Sequence, residues 1–84
     1  MILNGKAFQD FGEQCKYDYN EFVKLEEVLQ YALIIEWFDS VGWLDECIDI
    51  QRLLWLEYHE HGVITLKERT QQVIIKANDI YNEL

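Results

Sequence analysis

Residues Asp18 to Ser40 read D-Y-N-E-F-V-K-L-E-E-V-L-Q-Y-A-L-I-I-E-W-F-D-S, and the spacing of the apolar residues within them decides the fold class. Phe22, Leu25, Val28, Leu29, Ala32 and Ile35 recur at the helical period, and Asp18 is a good N-cap. The stretch therefore predicts one helix from about Asp18 to about Ser40. Its later half adds Tyr31, Ile34, Trp37 and Phe38 on the other side. A helix that is apolar nearly all round must be covered on two faces, which places this one in the middle of a bundle or at a contact between two copies.

Working outward, no proline interrupts the chain, so its breaks fall at Gly5, Gly12, Gly42 and Gly62. Before the central helix, Ala7, Phe8, Phe11 and Cys15 predict a short helix from about Lys6 to Lys16, weakened by Gly12. After it, Trp43, Leu44, Cys47, Ile48, Ile50, Leu54, Trp55 and Tyr58 form a broad core-facing arc on a helix ending near His61. The opposite face carries Glu46, Asp49, Glu57 and Glu60, with Leu53 and Leu56 among them. Gly62 supplies a left-handed C-cap. Thr65-Leu66-Lys67-Glu68 then has the pattern of a capping box that opens a last helix, with Leu66, Val73, Ala77, Ile80 and Leu84 on one stripe. The expectation is an all-α bundle of four helices, one short and three longer; a minimal two-stranded contact between Met1–Asn4 and Gly62–Ile64 is the less favoured accessory, because two strands are marginal alone.

Eighty-four residues suit a single domain, and a chain of this size buries only about 60–65 % of the surface it exposes when unfolded. Half the residues are hydrophobic, including three Trp, five Tyr and four Phe, so part of that bulk is expected to face a partner. Seven basic residues against sixteen acidic ones give a formal charge of -9, which repels phosphate backbones and anionic membranes. No Lys or Arg lies between Lys24 and Arg52, whereas Glu26, Glu27, Glu36, Asp39, Asp45, Glu46 and Asp49 do. The longest uninterrupted apolar run, Tyr31 to Ile35, is far below the roughly 20 residues of a membrane span. Two cysteines without metal-ligand spacing and an amino terminus without a signal-peptide pattern lead to the expectation of a reduced, cytoplasmic protein.

Few residues carry recognisable chemistry. In His59-Glu60-His61, side chains two apart point about 200° away from each other on a helix, so the two imidazoles cannot share an ion; they read as solvated histidines at a helix C-terminus. Glu36 and Asp39 are three apart on one face, and Glu46 and Asp49 repeat that spacing on the next helix, a geometry that suits oxygen ligation of Mg²⁺. Glu36 falls inside the apolar arc of its helix, where a carboxylate needs a partner or an edge to reach water. No Gly-rich phosphate loop, nucleophile elbow or zinc pattern is present.

With that spacing, Lys24 to Leu54 resembles the core of the all-α nucleotide pyrophosphohydrolases of the MazG type, through Glu26, Glu27 and the E-C-I-D of Glu46 to Asp49, with Lys76-Ala77-Asn78 resembling the family's phosphate-contacting helix. Gln30 stands where the family's third acidic ligand belongs. The resemblance implies Mg²⁺ held by Glu26, Glu27, Glu46 and Asp49; without it no cofactor is expected. The build is also similar to that of small phage-encoded inhibitors of defence nucleases, anti-CRISPR proteins among them, whose carboxylates stand in for DNA phosphates. The leading expectation is a non-enzymatic interaction module that occupies a basic surface of a protein partner through Glu36, Asp39, Glu46, Asp49, Leu53, Leu56, Glu57 and Glu60, with no direct nucleic-acid or membrane contact. The other two readings are the hydrolase and a homodimer or assembly subunit.

Overall fold

A computed structural model describes residues 2–41 and 44–84. They form an all-α bundle whose helices are α1 (Gly5–Gln14), α2 (Tyr19–Phe22), α3 (Glu27–Ser40), α4 (Asp45–Glu60) and α5 (Lys67–Glu83). Trp43 and Gly42, which the sequence assigns to the connection and the start of the third helix, lie outside the described residues, as does Met1.

The predicted central helix is divided. Asp18 does act as an N-cap, its carboxylate accepting from the Glu21 amide at 2.8 Å, but α2 ends after one turn. The amides of Lys24 and Leu25 bond back only three residues, to the Glu21 and Phe22 carbonyls, tightening the chain into a turn. The side-chain amide of Gln30 then donates to the Val23 carbonyl at 3.1 Å and to the Leu25 carbonyl at 2.9 Å, covering groups that a continuous helix would have bonded internally. The bend sets the buried Phe22 ring edge-on to Phe11 of α1, 5.4 Å between centroids. Periodicity alone could not see it, because Phe22 and Val28 obey one helical period on either side of the break.

Helix α3 is the centre of the bundle. It packs mainly on α4 and also on α5. Val28, Ala32, Ile34, Ile35, Trp37 and Phe38 are all buried, on both sides of the helix. The two-sided apolarity read from the sequence is thus covered within one chain. Much of the aromatic bulk is internal too: Phe11, Trp37, Phe38 and Tyr81 form a chain of ring contacts with centroids 4.8–5.7 Å apart, joining α1, α3 and α5.

Helix α4 buries Cys47, Ile50 and Leu54. Ile48, assigned to that arc by sequence, lies about 100° around the helix from Cys47, beyond the buried part of the arc, and is exposed. Gly62 adopts φ +65 and its amide returns to the Glu57 carbonyl, confirming the left-handed cap. A Cβ at Gly62 would come within 3.8 Å of the Glu26 carboxylate, so the start of α3 lies beside the end of α4 and the two helices are antiparallel.

The capping box does not form. Leu66, not Thr65, is the N-cap of α5 and makes no side-chain cap. The Thr65 amide and hydroxyl instead donate to the two carboxylate oxygens of Glu57, tying the connection to the last turn of α4. The accessory strand pair is also replaced, for no strand occurs among the described residues. The N-terminal segment lies on α5: the Asn4 amide donates to Asn78 at 2.9 Å, Asn78 donates back to the Asn4 side chain at 3.0 Å, and Asn82 donates to both Asn4 oxygens. Asn82 also accepts from the buried Ala7 amide at 2.8 Å, which caps the first turn of α1.

Candidate functional site

The acidic residues that the sequence groups together do not share one environment. Asp49, Leu53, Leu56 and Glu60 follow one another at helical steps of four, three and four residues and form a single outward stripe on α4. All four are exposed, Leu53 by 37 % and Leu56 by 55 %. Arg52 and Ile48, both exposed, lie on the flank of the stripe. The Trp55, Tyr58 and His59 rings contact one another on the same helix, with His59 stacked on Trp55 at 5.9 Å. His61 lies 3.6 Å from Glu60, and both side chains are mostly exposed.

The remaining predicted residues are engaged or lie elsewhere. Glu57 is engaged by Thr65. Glu46 receives a hydrogen bond from Lys76 of α5 at 2.8 Å. That bond, helped by one to its own backbone amide, holds Glu46 below the usual carboxylate range. Asp39 is half-buried at the end of α3, close enough to Cys47 to act on its thiol. Burial, with the Asp39 and Glu46 carboxylates nearby, pushes the Cys47 thiol up to about 11, so Cys47 stays protonated near neutrality. Glu36 is exposed on α3, one turn before Asp39, so the edge of the bundle is what admits its carboxylate to the apolar arc.

The residues that the hydrolase resemblance assigns to Mg²⁺ are split between the two ends of the α3–α4 hairpin. Glu26 lies beside Gly62, and Glu27 pairs with Lys67 at 2.6 Å. That lysine is raised above its ordinary value, chiefly by the hydrogen bond it donates to Glu27. Glu46 and Asp49 begin α4, roughly 20 Å away along the helix at 1.5 Å per residue. Gln30, in the place of the third acid, is bound to two backbone carbonyls, and Asn78 is buried against Asn4. Among the described residues no three of His, Cys, Asp and Glu converge in a way that could hold a metal ion. No described helix is long and apolar enough to cross a membrane.

A groove that no sequence motif announces runs between α1, α3 and α4. It is an open groove of about 540 Å³ lined by the buried Phe11 and Trp37, the half-buried Leu33 and Trp55, and the exposed Glu36. The Trp37 indole inside it donates to Gln14 at 2.9 Å. Only the juxtaposition of α1 with the α3–α4 hairpin creates this space, so no local spacing could have signalled it. Comparison of the chain with protein-family models, with curated proteins and with solved structures gives no match.

Proposed function

We propose that this chain is a binding module that seats the outer face of α4 on a basic surface of a protein partner. The observation that carries the reading is the stripe itself: Leu56 is more than half exposed and Leu53 partly so, between the exposed Asp49 and Glu60. Apolar side chains ringed by charge are the ordinary composition of a docking patch, with the leucines slowing release and the carboxylates guiding approach. A net charge of -9 adds a long-range attraction toward a positive surface, and the surfaces that bind nucleic acid are of that kind. In this reading the carboxylates occupy positions that phosphates would otherwise take, and the module acts as an inhibitor or modulator, not an enzyme. With Glu57 and Glu46 committed to Thr65 and Lys76, the working set narrows to Asp49, Leu53, Leu56 and Glu60, with Glu36 and Asp39 at the hairpin end.

The test is competition. Once a partner has been captured, a labelled double-stranded DNA bound to it should be displaced by the wild-type chain and retained in the presence of a variant carrying Asp49→Lys and Glu60→Lys. Simultaneous binding of DNA and the wild-type chain to the partner would contradict the mimicry.

A further inference from the structure

We infer that the groove between α1, α3 and α4 is an arginine slot that receives one side chain from the basic partner, an inference that rests on the docking reading above. Three features of the groove converge on that chemistry. Much of its lining is apolar and aromatic, with Leu33 and Trp55 half-buried and Phe11 and Trp37 buried, which suits the methylene stem of a long side chain. The exposed Glu36 also lines it, and has no ion-pair or hydrogen-bond partner among the described residues, in contrast to Glu27 and Glu46. Its volume of about 540 Å³ is within the range of sites that enclose a small ligand, about 300–1,000 Å³.

Arginine fits this combination better than lysine. A planar guanidinium stacks on an indole and pairs with a carboxylate in two-pronged fashion, whereas an ammonium is a compact and strongly hydrated point charge. The rim residue of the wrong sign, Lys16, keeps its charge, but its ammonium lies over the Tyr17 ring at 5.1 Å, a ring that does not line the groove. The polar groups of Gln14 and Ser40 at the groove are likewise bonded, Gln14 accepting from Trp37 and the Ser40 hydroxyl donating to the Trp37 carbonyl at 2.6 Å. Glu36 is therefore the free acceptor that an incoming cation would meet.

The experiment titrates the ¹⁵N-labelled full chain with a tri-arginine amide peptide, with tri-lysine amide as comparison, and follows amide and indole resonances. Saturable shifts are expected at the Trp55 indole N–H and at the Leu33 and Glu36 amides, with tri-lysine bound more weakly. Glu36→Gln and Trp55→Leu should each weaken tri-arginine binding by about five-fold or more, a factor corresponding to about 1 kcal/mol. Glu36 is exposed, so Glu36→Gln keeps the test valid even if the Trp55 variant folds poorly. Equal affinity for the two peptides, an unaltered affinity of Glu36→Gln, or no saturable shift would overturn the slot. Shifts confined to Asp49, Leu53, Leu56 and Glu60 would also overturn it while leaving the α4 docking face standing.

Discussion

Several polar side chains join segments far apart in the chain, among them Gln14 to Trp37 and Gln71 to Tyr31. Asn82 is the clearest: its carboxamide accepts from the buried Ala7 amide and donates twice to Asn4, fastening the first turn of α1 to the last turns of α5. Removing it strands a buried backbone donor, so Asn82→Ala should cost about 1–3 kcal/mol in urea unfolding. A loss below a few tenths of a kcal/mol would show that the contact is ornamental. Gly5 shares the site at φ +60, where a Cβ would meet the Asn82 amide nitrogen at 3.0 Å. Cys47 gives a pH signature. Its thiol is raised from 9.0 to about 11 by burial and nearby carboxylates, so the unfolded chain loses that proton first as pH rises. The resulting stability is complete below about pH 9 and disappears as pH passes through about 11. Tyr81, raised chiefly by the hydrogen bond it donates to Asp10, pulls the same way above pH 10. Denaturation midpoints measured from pH 8 to 11 should fall, and the fall should be shallower in Cys47→Ala; an identical slope would remove Cys47 from the account.

Helix existence was legible in the sequence, and helix continuity was not. Apolar periodicity located the helical segments, and Asp18 and Gly62 were readable as terminators because capping and left-handed turns depend on local chemistry. The break between α2 and α3 escaped because its cause is Gln30, a side chain several residues downstream that bonds the Val23 and Leu25 carbonyls. Thr65 escaped for a similar reason: its local bonding option lost to the Glu57 carboxylate eight residues earlier. Gln30→Glu supplies a direct check. It restores the acid that the hydrolase pattern wants at that position but replaces two donated hydrogen bonds by a carboxylate facing two carbonyls. A destabilisation of about 1–3 kcal/mol is expected, without gain of Mg²⁺-dependent pyrophosphate release. Unchanged stability together with such activity would reverse the assignment.

At the scale of the whole molecule, a Cα radius of gyration of 11.9 Å is what one compact body of this length should have, about 12 Å. The charge and the exposed leucines were visible in the sequence, and the structure shows which of the acids are already spent. Glu46 and Glu57 were not separable from Asp49 and Glu60 by spacing on α4, because their partners lie outside that helix, Lys76 in α5 and Thr65 in the connection before it. The groove between α1, α3 and α4 was invisible for the same reason, being made by tertiary contact. The proposed docking of the stripe Asp49, Leu53, Leu56 and Glu60 on a basic protein depends on both its charges and its leucines. It is tested most directly by side-by-side affinity capture from the native cell extract at low and high salt, using the wild type, Asp49→Lys with Glu60→Lys, and Leu56→Ala. One basic, nucleic-acid-binding protein should be retained by the wild type at low salt, weakened at high salt, and lost from both variants. Equal retention of that protein by all three chains, or capture of an acidic partner insensitive to salt, would contradict the docking.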